Sequence, residues 1–226
     1  MTRTLIFTLT TLLATACATS QTYLARPTTG TVVDAGTKEP VAGAVVIAEW
    51  IVEGGMEHSK VGTFKVIEVA TDKAGRFVIP GWGPEARPPN GILDKFDPLI
   101  TVLKAGYVVT GLVNKPPSKI GERAALQDHS WLSKTEVFEI PKAVGPPRYY
   151  VSSWEGLYSR LYGVLDGGAL CDWKRLPRTI RILEDQEKLA RSQGLRPLYH
   201  LSAKELMERK QCAPFGDFMR AYSEIN

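Results

Sequence analysis

The chain has 226 residues, 44% of them hydrophobic and 23% charged, with a formal net charge of +4, the make-up of an ordinary globular protein. The positive excess is not concentrated: residues 152–226 hold 12 Lys and Arg against 10 Asp and Glu. A nucleic-acid-binding face gathers its basic residues, so that class is excluded. No apolar run beyond the N-terminus approaches membrane-spanning length.

The first element is an export signal. Arg3 precedes an uncharged stretch from Leu5 to Ala16, the layout of a basic start, apolar middle and small residues at a cut. The stretch is too short for a bilayer-spanning helix, which needs about 20 apolar residues. Ala14-Thr15-Ala16 fits a cut for a soluble secreted protein. Leu13-Ala14-Thr15-Ala16-Cys17 also resembles the bacterial lipoprotein box. That resemblance implies lipidation at Cys17, and Ala18 after it implies delivery to the outer membrane. Cysteine parity supports lipidation, because Cys171 and Cys212 then remain as an even pair. Plain secretion or a periplasmic location is the alternative. Residues 1–16 are read as signal peptide and 17–26 as tether.

Residues 27–140 read as β. Gly30–Asp34 is a short strand closed by an acidic turn. Ala44, Val46, Ala48, Trp50 and Val52 make one apolar strand face. Phe64–Thr71 and Arg76–Ile79 flank the hairpin loop Asp72-Lys73-Ala74-Gly75, with Gly75 suited to positive φ. Leu99–Leu103, Gly106–Val109 and Thr135–Ile140 complete seven strands with Gly and Pro between them. No helical segments alternate with them, which predicts an antiparallel sandwich rather than a parallel α/β sheet.

The pattern Pro40, Gly43, Ala44, then Thr71, Asp72, Gly75, Phe77, then Gly106 and Tyr107 resembles the carboxypeptidase regulatory-like domain. The resemblance implies a transthyretin-like seven-stranded β-sandwich and is nearly silent on activity. That family accompanies zinc carboxypeptidases without being their catalytic domain. The three histidines, His58, His129 and His200, lack the clustering that a catalytic zinc needs, so no metal, cofactor or enzymatic activity is expected.

Residues 141–151 form a Pro/Gly-rich linker, and 152–226 a helical tail. Trp154, Leu157, Tyr158, Leu161, Tyr162 and Leu165 recur at helical spacing, with a capping-box pattern at Ser152 and Glu155. That stripe reads as core packed on the sandwich, or as a sugar or partner groove. Further helices are predicted from Pro177 to about Gln193, from Ser202 to about Gln211, and after Pro214. Cys171 and Cys212 flank the middle two, and a disulfide between them is expected. A metal site using Cys171, His200 and Cys212 is the rival, but its spacing matches no compact zinc pattern.

Candidate binding groups are Trp82 and Trp131, on long connections that either form a ligand edge or plug the core. Lys174, Arg178 and Arg181 are candidates for anionic headgroups or polysaccharide. Asp94 and Asp97 are a weak candidate for paired carboxylates. The sequence therefore predicts an exported, lipid-anchored, non-enzymatic binding module for an envelope protein or a carbohydrate. An assembly role through the helical tail and a hydrolase with a dispersed site are the alternatives.

Overall fold

The computed structural model describes residues 22–55, 59–94, 96–114, 128–133, 136–145, 151–162, 164–165, 171–195, 215–220 and 222. Among these the chain is mainly β, followed by helices. The strands are β1 (Thr22–Ala25), β2 (Thr28–Asp34), β3 (Val45–Gly54), β4 (Ser59–Ala70), β5 (Arg76–Ile79), β6 (Trp82–Ala86), β7 (Ile92–Leu93), β8 (Leu99–Leu103), β9 (Thr110–Val113) and β10 (Val137–Ile140). The helices are α1 (Val151–Tyr162), α2 (Pro177–Ser192) and α3 (Phe215–Arg220), with a 3-10 turn at Asp172–Arg175. One sheet runs β4-β3-β8-β9, with β7 against the end of β3. A second runs β10-β2-β5, and β1 pairs with β6.

β3 is buried on both faces, and that decides the architecture. Its Val46, Ala48, Trp50 and Val52 join Val32, Phe77, Ile79, Ile100, Val102, Phe138 and Ile140 in one apolar cluster between the two larger sheets. Its opposite face supplies Val45 and Ile47 to a second cluster with Trp154, Leu157, Leu161, Leu165, Trp173, Ile180 and Leu183. The helical stripe is thus core against the sheet. Burying each such side chain stabilises by about 1.5–3 kcal/mol.

Turn chemistry explains the motif residues. The buried Thr71 hydroxyl accepts the Ala44 N–H at 2.8 Å and donates to the Val41 carbonyl at 2.7 Å. Asp72 accepts the N–H groups of Ala74 and Arg76, each at 2.9 Å, which shapes the hairpin before β5. Gly75 has φ +73°, and a Cβ there would lie 2.5 Å from the Val32 carbonyl oxygen. No side chain fits that position without moving the backbone.

The structure departs from the sequence expectations in several places. The sheets are not wholly antiparallel: β10 pairs with β2 in parallel, Phe138 opposite Val32. The chain from the end of β2 at Asp34 to the start of β10 at Val137 is ample for the crossover that a parallel pair requires. Ten strands replace the expected seven among the described residues. Residues 22–25, within the expected tether, form β1. β6 was hidden by its own Gly83-Pro84, a pair that argues against a strand except at an edge. The strand expected at 106–109 begins instead at Thr110, because Gly106 at φ +81° and the Tyr107 N–H on the Lys104 carbonyl make a turn there. The helix expected from Ser202 lies outside the described residues.

Candidate functional site

The α2 helix places Arg178, Arg181, Ile182 and Asp185 on one face, at helical spacing. That face borders the ends of β3, β4 and β8. Arg178, Arg181 and Asp185 there meet Gly43, Thr71, Lys104 and Tyr222 around a cleft of about 320 Å³. Three cations and one carboxylate face this space. Gly43 sits at φ +65°, and a Cβ on it would come 3.1 Å from Lys104 Nζ. The glycine therefore leaves room for the ammonium, which donates to its carbonyl at 3.4 Å.

The cations are only partly committed within the protein. Arg181 Nε is 3.9 Å from Asp185. Arg178 stands 4.0 Å from Glu68, and its buried Nε makes no hydrogen bond. Glu68 itself is occupied. One oxygen accepts the Arg178 N–H at 3.0 Å, and the other accepts the Thr179 N–H at 2.8 Å and hydroxyl at 2.7 Å. A strand carboxylate thus caps the first turn of α2, which has no side-chain cap of its own. Burial pushes the Glu68 carboxyl up, against the opposing hydrogen bonds from Thr179 and Arg178. With the helix end taken by Glu68, the cleft's own positive charge rests on side chains. Convergent cations in a cleft raise the local concentration of anions.

The residues predicted from sequence fall in different places. Arg178 and Arg181 share the cleft, whereas Lys174 lies 5.7 Å over the Trp173 ring. Trp82 packs edge-on to Trp50 at 5.3 Å and beside Phe64 at 5.4 Å. Trp131 packs on Phe138 at 6.0 Å. Both tryptophans are partly buried against the inter-sheet core. Asp97 is 1% exposed and accepts the Ile51 N–H at 2.8 Å. Burial first, then Asp94, Glu49 and Glu53 nearby, hold its carboxyl well above the usual range. Asp94 accepts the Phe96 N–H, so the two acids serve a loop. Cys171 is disulfide-bonded; Cys212 and Cys17 lie outside the described residues. Among the described residues no group of three His, Cys, Asp or Glu stands where it could hold a metal ion, and no helix is long and apolar enough to cross a membrane. Sequence reasoning missed Lys104 and Tyr222, since no local spacing ties either to Arg178.

No protein-family model matches the chain, and no curated protein matches it. Solved structures do align with it. 3-Chlorocatechol 1,2-dioxygenase from Rhodococcus opacus is 17% identical, with a TM-score of 0.33, covering 56% of this chain and 62% of that one. A single-site mutant of the Acinetobacter radioresistens catechol 1,2-dioxygenase is 13% identical, with a TM-score of 0.28, covering 55% and 53%. The chain thus spans little more than half the length of these proteins. The expectation that the chain is not an enzyme is corrected by this finding: the solved structures aligned with it are enzymes. At such TM-scores the likeness carries no argument for a particular activity.

Proposed function

We propose that the chain is an exported lipoprotein, anchored to the outer membrane through Cys17, that serves as a binding module for an anionic envelope carbohydrate. The observation that carries the ligand class is the cleft where Lys104, Arg178 and Arg181 converge against a single acid, Asp185. The motif residues from Pro40 to Tyr107, and the apolar cluster shared by two sheets, support a transthyretin-like sandwich as the rigid base. That Cys171 is disulfide-bonded supports the expected pairing with Cys212. Assembly through the first helix has less support, because its Trp154, Leu157 and Leu161 are spent on the sheet.

Two measurements test this reading. Titration of the detergent-solubilised full-length protein with oligogalacturonate is expected to give saturable binding, weakened about tenfold or more in R178Q/R181Q, the loss of two charge-assisted contacts. Equal binding of neutral malto-oligosaccharide, or an unaffected double variant, sinks the ligand assignment. Cys17→Ser is expected to move the protein from membranes to the soluble fraction. Wild type found soluble as well leaves secretion without an anchor.

A further inference from the structure

A second pocket, of about 440 Å³, opens between the outer face of β3 and β4 and the α1 helix. Ile51, Val61 and Leu99 form its apolar wall, and Glu49, Lys60 and Arg160 are its charged groups. Two of these three neutralise each other. The Glu49 carboxylate, 2% exposed as a residue, accepts from Lys60 Nζ at 2.8 Å and from the Thr63 hydroxyl at 2.6 Å. Lys60 also donates to the Arg160 carbonyl at 3.0 Å. The Arg160 guanidinium remains. It is half-buried and makes no hydrogen bond or ion pair to the described residues, and Glu49 acts on it only at longer range. A guanidinium carries five donors in a planar fork, and withdrawing it from water without partners costs free energy.

The backbone is arranged to admit that side chain. Gly111 lies inside β9, where glycine weakens a strand. A Cβ there would stand 2.7 Å from an Arg160 terminal nitrogen. The strand thus carries a glycine where the guanidinium approaches it.

We propose that this pocket binds a small monocarboxylate with an apolar body, the carboxylate paired with the Arg160 fork and the body against Ile51, Val61 and Leu99. The pocket falls within the size range of small-molecule sites, and an apolar wall with few convergent polar groups is their usual form. Arginine suits a planar carboxylate through two parallel N–H···O bonds. Lys60 offsets Glu49, so the acid does not repel the ligand. The proposal goes beyond the carbohydrate reading and does not depend on the cleft at Arg178.

Isothermal titration of the detergent-solubilised full-length protein with butyrate and with 1-butanol tests it, against micelle blanks. Butyrate is expected to saturate one site, with 1-butanol at least about tenfold weaker. R160Q and G111A, the second displacing the guanidinium without removing its charge, are each expected to weaken butyrate about tenfold or more, and R178Q to leave it unchanged. The proposal is overturned if butyrate gives no saturable binding, if butanol binds as well, or if both R160Q and G111A retain wild-type affinity. Because butyrate and butanol are compared on the wild type, the test stands even if a variant does not fold.

Discussion

Asp34 illustrates how a single side chain closes a strand. Its Oδ1 accepts the N–H groups of Gly36 and Thr37 at 2.8 and 2.9 Å, while Oδ2 takes the Tyr107 hydroxyl at 3.2 Å and lies 3.4 Å from Lys142. The Thr37 N–H foremost, with Gly36, Tyr107 and Lys142, holds its carboxyl at about 2, below the usual 3.8. A depressed folded pKa means the ionised form is favoured by folding. Its stabilisation is therefore present above pH 3.8 and lost as pH falls through about 2. In urea denaturation across pH 2–5, wild type is expected to exceed D34N in stability at the upper end, with the gap shrinking toward pH 2. A gap that is constant with pH removes the assignment. The acidic turn itself was legible in the sequence. Its tie to Tyr107 was not, because the partner lies far along the chain.

At the scale of elements, α2 depends on β4. Pro177 at the first turn marks the helix start locally, and the start is readable for that reason. The capping acceptor is not local: Glu68 reaches the Arg178 N–H from 110 positions away. Glu68→Ala leaves those donors without their acceptor and is expected to cost about 1–3 kcal/mol. Glu68→Gln keeps an acceptor oxygen and is expected to cost less. Chemical denaturation with far-UV circular dichroism compares the two. Equal losses, or none, mean that the carboxylate does not hold the helix. The cap expected at Ser152 is displaced: α1 begins at Val151, so Ser152 lies within its first turn, and the next residue, Ser153, accepts the Val109 N–H at 3.4 Å.

At the scale of the molecule, the sheet and the helices share a core. Val45, Ile47, Val66 and Leu103 contact the same cluster as Trp154, Leu157 and Trp173. Unfolding followed by tryptophan fluorescence and by circular dichroism is expected to give coincident transitions. Leu157→Ala, fully buried in that cluster, is expected to lower the common transition by about 2–5 kcal/mol. A helical signal lost before the β signal overturns the shared core and restores an independent tail.

By itself the sequence determined the β-rich middle, the hairpin built on Thr71, Asp72, Gly75 and Phe77, the helix from Pro177 and the apolar stripe of α1. Each rests on interactions within a few residues or on the period of a face, which the order of residues contains. Only the tertiary structure decided that β10 joins β2 in parallel, that Glu68 caps α2, and that Gly43, Lys104, Arg178 and Tyr222 surround one cleft. Those arrangements follow from which distant surfaces bury one another. The β3 face of Val46, Ala48, Trp50 and Val52 is wholly apolar and the other sets Glu49 and Glu53 beside Val45, Ile47 and Ile51, but that pattern does not say that the first takes a sheet and the second takes helices.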